Sequence, residues 1–268
     1  MPMTTTEPES PAFSPHPNPW GQLAALSGRG LTKVIRNGEL VFAFVSPAFL
    51  AVCFYLPLKN VMAQYPGMNY GQFLMPIIVL QSVGFAASSA AMKASFDGKD
   101  GIHTRFRVLP MPAWVPMISR LVTNSALLVV SLLCALVACL IIGWRPENGA
   151  LGVGLVFIVS FVIGILLALV ADGIGLNSGS PQATSQAMSL PTLILGMLST
   201  GFIPEESFPD WIQPFVRNQP ISQFVNVIRG ADQGTLTWDL VQPSVYWCIG
   251  LFAVAMGLLG LNRRRTGA

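Results

Sequence analysis

Charge is scarce in this sequence. Asp, Glu, Lys and Arg make up 10% of its 268 residues, against about a quarter in a soluble domain. Histidine is nearly missing. The two present, His16 and His103, have no plausible catalytic partner close by in sequence. No G-x-x-x-x-G-K-[ST] run occurs, so the chain cannot cradle nucleotide phosphates in a P-loop. No H-E-x-x-H or G-x-S-x-G run occurs either, which removes the matching zinc-hydrolase and serine-hydrolase readings. The four cysteines, Cys53, Cys134, Cys139 and Cys248, lie inside apolar runs without metal-ligand spacing. There they act as small hydrophobes, and no disulfide framework, metal or cofactor is expected. With no assembled acid, base or nucleophile, a membrane-embedded enzyme is the least favoured class.

What the sequence has in quantity is apolar surface. Hydrophobic residues reach 52% and the mean hydropathy is +0.59. Both point to a polytopic, all-α membrane protein. Six apolar runs are expected as spans, at about 40–58, 73–92, 121–143, 150–171, 187–203 and 243–261. The fifth is short and broken by Pro191 and two glycines. The small cluster Ala86 to Ala91 in the second run suits close helix approach. The interiors of these runs contain no Asp, Glu, Lys or Arg, whereas ion-coupled carriers keep such groups within the membrane.

The ends read differently. Residues 1–19 hold six prolines and no Lys or Arg, a composition for a disordered tail rather than a secretory signal. Residues 20–37 interleave Trp20, Leu23, Leu26, Leu31, Val34 and Ile35 with Arg29, Lys33 and Arg36. That pattern predicts an interfacial helix with a basic side toward anionic headgroups. Residues 263–268 form a basic tail. With six spans, one face collects Arg29, Lys33, Arg36, Lys93, Lys99, Arg105, Arg107, Arg120, Arg263, Arg264 and Arg265, leaving Lys59, Arg145, Arg217 and Arg229 on the other. Positive residues favour the cytoplasm, so both termini are expected on the cytoplasmic side of the cytoplasmic (inner) membrane.

Three connectors could carry chemistry. Residues 93–120 mix Asp97, Lys99, Asp100, Arg105 and Arg107 around Ile102 and Phe106, which stand four apart on one helical face. A surface helix of this kind suits docking into a partner's groove; the same residues also suit an ordinary basic loop that only fixes topology. Residues 173–186, with Asp172 at the edge, read as a tight polar turn. Residues 199–230 start apolar, break at Pro204 and continue through Pro209, Pro214 and Pro220, which leave room only for short helical pieces. Phe208, Trp211, Ile212 and Phe215 recur there at near-helical spacing between Glu205, Glu206 and Asp210. This predicts broken amphipathic segments at the outer membrane surface, with aromatics at headgroup depth.

The order of these parts resembles the integral membrane subunit of type-2 ABC exporters. The resemblance rests on Ser180-Pro181-Gln182, on Gly201-Phe202-Ile203-Pro204-Glu205-Glu206-Ser207-Phe208-Pro209-Asp210-Trp211, and on Gln219-Pro220-Ile221-Ser222 through Arg229. It spans about residues 20–262 and is strongest to mycobacterial DrrC-type permeases. It implies six transmembrane helices with an N-terminal interfacial helix and a short external helical segment before the last span. It also implies a DrrA-like ABC ATPase subunit that binds ATP and Mg, and a second permease, DrrB-like or a copy of this chain. The cargo it implies is lipidic or amphipathic, such as phthiocerol dimycocerosate or a hydrophobic drug. The ATPase-coupling loop would then be Asp97, Lys99, Asp100, Ile102, Arg105, Phe106 and Arg107, and an external lid would be Pro204, Glu205, Glu206, Phe208, Trp211 and Phe215. The alternative is a self-contained secondary carrier or channel.

Overall fold

The computed structural model describes residues 18–36, 38–62, 69–99, 112 and 114–267. Of the N-terminal tail expected at 1–19, residues 1–17 lie outside that set and Pro19 already belongs to the first helix; residues 100–111 of the charged connector also lie outside it. Among the described residues the regular structure is helical: α1 (Pro19–Arg36), α2 (Glu39–Met62), α3 (Tyr70–Lys99), α4 (Trp114–Ile141), α5 (Gly149–Asn177), α6 (Pro181–Met197), a 3-10 turn (Glu205–Ser207), α7 (Gln213–Asn218), α8 (Pro220–Gln233) and α9 (Trp238–Gly267).

Local signals explain several starts. Asn18 Oδ1 accepts from the N–H groups of Trp20 and Gly21, at 3.2 and 3.4 Å, and Pro19 fills the first helical position, where no donor is needed. Ser180 caps α6 in the same way by accepting from Ala183 N, with Pro181 following. Pro47 and Pro57 lie inside α2 without ending it, as prolines in membrane helices commonly do.

α3 is the centre of the bundle. Leu74 to Gly84 are buried without a break, and α2, α4, α5, α6 and α8 all pack against it. By contrast α2 turns Val41, Phe44, Val45, Phe49 and Val52 outward, and α9 turns out Ile249, Phe252, Val254 and Met256. Outward apolar residues on long helices are what lipid contact requires.

Five helices, α2, α3, α4, α5 and α9, are long and apolar enough to cross a membrane. The fifth expected span differs. Its helix, α6, begins earlier, at Pro181, and stops at Met197 after 17 residues, a rise of about 25 Å where the hydrocarbon core measures about 30 Å. Residues 198–203, expected to finish this span, form a turn instead. That turn is pinned by Ser199 Oγ donating to Gly196 O, and by Thr200 N donating to Ser222 Oγ at 3.2 Å. The polar turn expected over 173–186 also contracts, because α5 runs to Asn177 and α6 restarts at Pro181.

The small residues of α3 permit a close contact with α5. A Cβ on Gly175 of α5 would stand 2.7 Å from Ala94 Cβ and 3.1 Å from Ser95 N. Gly154, on the same helix, has nothing within 4 Å of its Cβ position. Gly175→Ala is therefore expected to cost about 1–3 kcal/mol through overpacking, while Gly154→Ala leaves stability nearly unchanged. Thermal unfolding in detergent checks this; equal midpoints for the two variants would contradict the packing.

Candidate functional site

At one end of the bundle α1 leans across α4, with Trp20 edge-on to Trp114 at 6.1 Å between ring centres. The last turns of α3 carry Lys93, Asp97 and Lys99 here. Lys93 Nζ lies 3.0 Å from Glu39 Oε2 of α2, which also accepts from Ser89 Oγ at 2.9 Å. Arg120 Nη2 of α4 lies 3.1 Å from Asp97 Oδ2. One helix end is thus tied by ion pairs to both α2 and α4. Partly buried pairs of this kind are weak evidence for stability; what they provide is a fixed geometry. Behind them Asn124 Nδ2 of α4 donates to both oxygens of Asp172 on α5, each at 3.4 Å. A cavity of about 380 Å³ opens among these groups and α1.

Of the expected coupling residues, Asp97 and exposed Lys99 end α3 here. Asp100, Ile102, Arg105, Phe106 and Arg107 fall outside the described residues. The network around them was not legible as such. Glu39, Lys93 and Arg120 are adjacent only through the fold. Asp172 was expected at the edge of a turn, one residue past an uncharged run. It lies instead within α5 and is buried, because the helix continues to Asn177. The helical register of 150–177 was the available signal.

The other end is built round α8. It packs against α3, α5 and α9, burying Phe224, Val225, Val227, Ile228 and Ala231, and ends at Gly234, whose φ of +70° favours glycine. Asp232 Oδ2 accepts from Trp144 Nε1 at 3.0 Å and from Gln72 Nε2 at 2.5 Å. Gln72 Oε1 accepts in turn from Arg145 N at 3.0 Å. Burial pushes the Asp232 carboxyl above the ordinary carboxylate range, against the downward pull of the Trp144 and Gln72 hydrogen bonds. Arg229 lies over the Phe73 ring at 4.4 Å and donates from Nη2 to the carbonyls of Phe73 and Thr200, at 3.3 and 3.4 Å. Burial pulls its guanidinium down to about 10, so it stays protonated at neutral pH. The 199–230 stretch, expected as broken segments at the outer membrane surface, is exposed mainly in its first part, whereas α8 packs among the long helices.

That first part is a projecting knob. Pro204 precedes the 3-10 turn, and Glu205 Oε1 accepts from Arg217 Nε at 2.9 Å and Nη2 at 2.6 Å, closing the segment on itself. Glu205 holds the Arg217 guanidinium above its usual value. Phe208 is half-buried and Glu206 exposed. Trp211 is 80% exposed and Phe215 50%, so these aromatics project outward. Val216 anchors α7 from beneath.

An all-helical bundle, with five helices able to cross a membrane among the described residues, defines a multi-pass membrane protein. The chain belongs to the ABC-2 type transporter family, whose model matches residues 21–232. It is 33% identical over 250 residues to the doxorubicin resistance ABC transporter permease protein DrrB of Mycobacterium tuberculosis, covering 88% of this chain and 86% of that protein. To the probable doxorubicin resistance ABC transporter permease protein DrrC of the same organism it is 26% identical over 242 residues, covering 90% and 87%. To the daunorubicin resistance ABC transporter permease protein DrrB1 of Streptomyces coeruleorubidus it is 26% identical over 196 residues, covering 72% and 66%. The chain is thus related to both mycobacterial permeases, at higher identity to DrrB.

Proposed function

We propose that this chain is the membrane permease of an ATP-driven exporter for a lipidic or amphipathic cargo, a hydrophobic drug or a complex lipid such as phthiocerol dimycocerosate. It resides in the cytoplasmic membrane with both termini inside. ATP and Mg are bound by a separate DrrA-like subunit, and the membrane domain is completed by a second permease, DrrB-like or another copy of this chain. The observation that carries this reading is the anchored end of α3. Force applied by an ATPase to residues 97–107 reaches α2 through Lys93–Glu39 and α4 through Asp97–Arg120. Movement there would shift three long helices together, which is how rigid elements transmit a local push. The relatives named for doxorubicin and daunorubicin resistance support an export direction.

The 204–215 knob acts as a lid at the outer leaflet, with Trp211 and Phe215 at headgroup depth. In proteoliposomes containing the permease, its partner and the ATPase, export of a fluorescent amphiphile should require ATP. Trp211→Ala should slow export about tenfold with expression unchanged, since an interfacial Trp carries on the order of 1–2 kcal/mol of membrane contact. Export without ATP would overturn the exporter reading, and undiminished export by Trp211→Ala would remove the lid.

A further inference from the structure

The cavity between α1 and the ends of α2, α3, α4 and α5 is charged unevenly. On its floor the Asp172 carboxylate is 8% exposed, and its hydrogen bonds among the described residues are the two 3.4 Å contacts from Asn124. On its rim Arg29 and Lys33 stand one turn apart on α1, exposed and without an ion-pair partner among the described residues. The remaining charged lining groups already form the pairs Lys93–Glu39 and Arg120–Asp97. Once those pairs are set aside, the floor has one negative charge in excess and the rim has two positive charges.

Lys93 and Arg120 act on the Asp172 carboxylate through space while engaged in ion pairs of their own, and its hydrogen-bond donor is a neutral amide, so among the described residues no cation donates directly to it. A ligand ammonium would supply one. An arginine and a lysine together match a phosphate, the arginine with two parallel donors. A ligand carrying both groups offers a partner to floor and rim within the one cavity. Choline headgroups fail this test because a quaternary ammonium has no N–H for Asp172. Glycerol headgroups fail it because they bring no cation. Leu26 and Phe96 supply an apolar wall, and Trp20 and Ile35 expose apolar surface along α1, a path by which acyl chains can leave toward the bilayer.

We propose that this cavity binds the phosphoethanolamine headgroup of a zwitterionic phospholipid, with the phosphate on Arg29 and Lys33 and the ammonium on Asp172. The site is defined by equilibrium binding and does not depend on the exporter reading.

The full chain, purified in detergent, is titrated calorimetrically with dihexanoyl phosphatidylethanolamine, dihexanoyl phosphatidylglycerol and dihexanoyl phosphatidylcholine below their micelle concentrations, and with free O-phosphoethanolamine. The ethanolamine lipid should bind about tenfold more tightly than the other two. Asp172→Asn should abolish that preference. Arg29→Gln with Lys33→Gln, on an exposed helix face, should weaken the ethanolamine lipid by about tenfold or more without altering thermal unfolding. Equal binding of the ethanolamine and glycerol lipids by the unmodified chain overturns the proposal whatever the variants do, as does a preference that survives Asp172→Asn. Free phosphoethanolamine binding as tightly as the lipid overturns the lipid assignment.

Discussion

Asp232→Ala should destabilise the chain by about 3 kcal/mol, the range for removing charge-assisted hydrogen bonds and leaving a buried donor unpaired. Trp144 is 1% exposed, and its indole N–H has Asp232 Oδ2 as its partner at 3.0 Å. Water cannot readily replace that acceptor. The same oxygen holds Gln72, which in turn accepts from the backbone of Arg145, so one substitution loosens α3, the α4–α5 link and α8 together. For a chain of this length the unfolding midpoint in detergent should fall by roughly 10 °C. Asp232→Asn keeps one acceptor oxygen and should recover about half of that loss. Near-ultraviolet circular dichroism should show the Trp144 environment changed in the alanine variant. An alanine variant that unfolds at the parental temperature would mean that α8 is held by its apolar face alone.

This clamp explains where reading the sequence succeeded and where it stopped. Long apolar runs locate α2, α3, α4, α5 and α9 because their chemistry is that of a lipid solvent, and hydrophobic length alone identifies them. Asn18-Pro19 and Ser180-Pro181 carry helix-start signals in local hydrogen bonding, yet the expected elements placed the first pair in the tail and the second in a polar turn. α8 was not legible as an inserted helix. Arg229 and Asp232 make its sequence look solvent-facing, and only the fold brings the Phe73 ring, two carbonyls and the Trp144 indole to meet them. Asp172 was lost for a related reason. Its partner Asn124 is 48 residues away, and no local pattern joins them. The aromatic segment at 208–215 was legible as exposed because Pro209 and Pro214 prevent the long helix that could have buried it.

Reversing charge in the connector should uncouple the permease from its ATPase. Asp97 already faces Arg120 at 3.1 Å, so Asp97→Lys with Asp100→Lys sets like charges together and disturbs the α3–α4 tie from within. Arg105→Glu with Arg107→Glu replaces neither residue of that tie. Like-charge juxtaposition at an interface costs several kcal/mol, enough to reduce a complex by on the order of a hundredfold. Loss in both variants marks the connector as the docking element; loss in the aspartate variant alone marks internal strain in α3.

The most direct measurement is therefore recovery of the ATPase subunit. This chain, tagged, is co-expressed with its candidate ATPase and partner permease, extracted from membranes and purified, and the ATPase is quantified against the parental chain and the Arg105→Glu/Arg107→Glu variant at equal membrane insertion. The exporter account predicts an ATPase recovered in stoichiometric amount with the parental chain and nearly absent from the variant. Failure to recover any ATPase with the parental chain, while that chain still moves substrate, would contradict the account and make the protein a self-contained carrier.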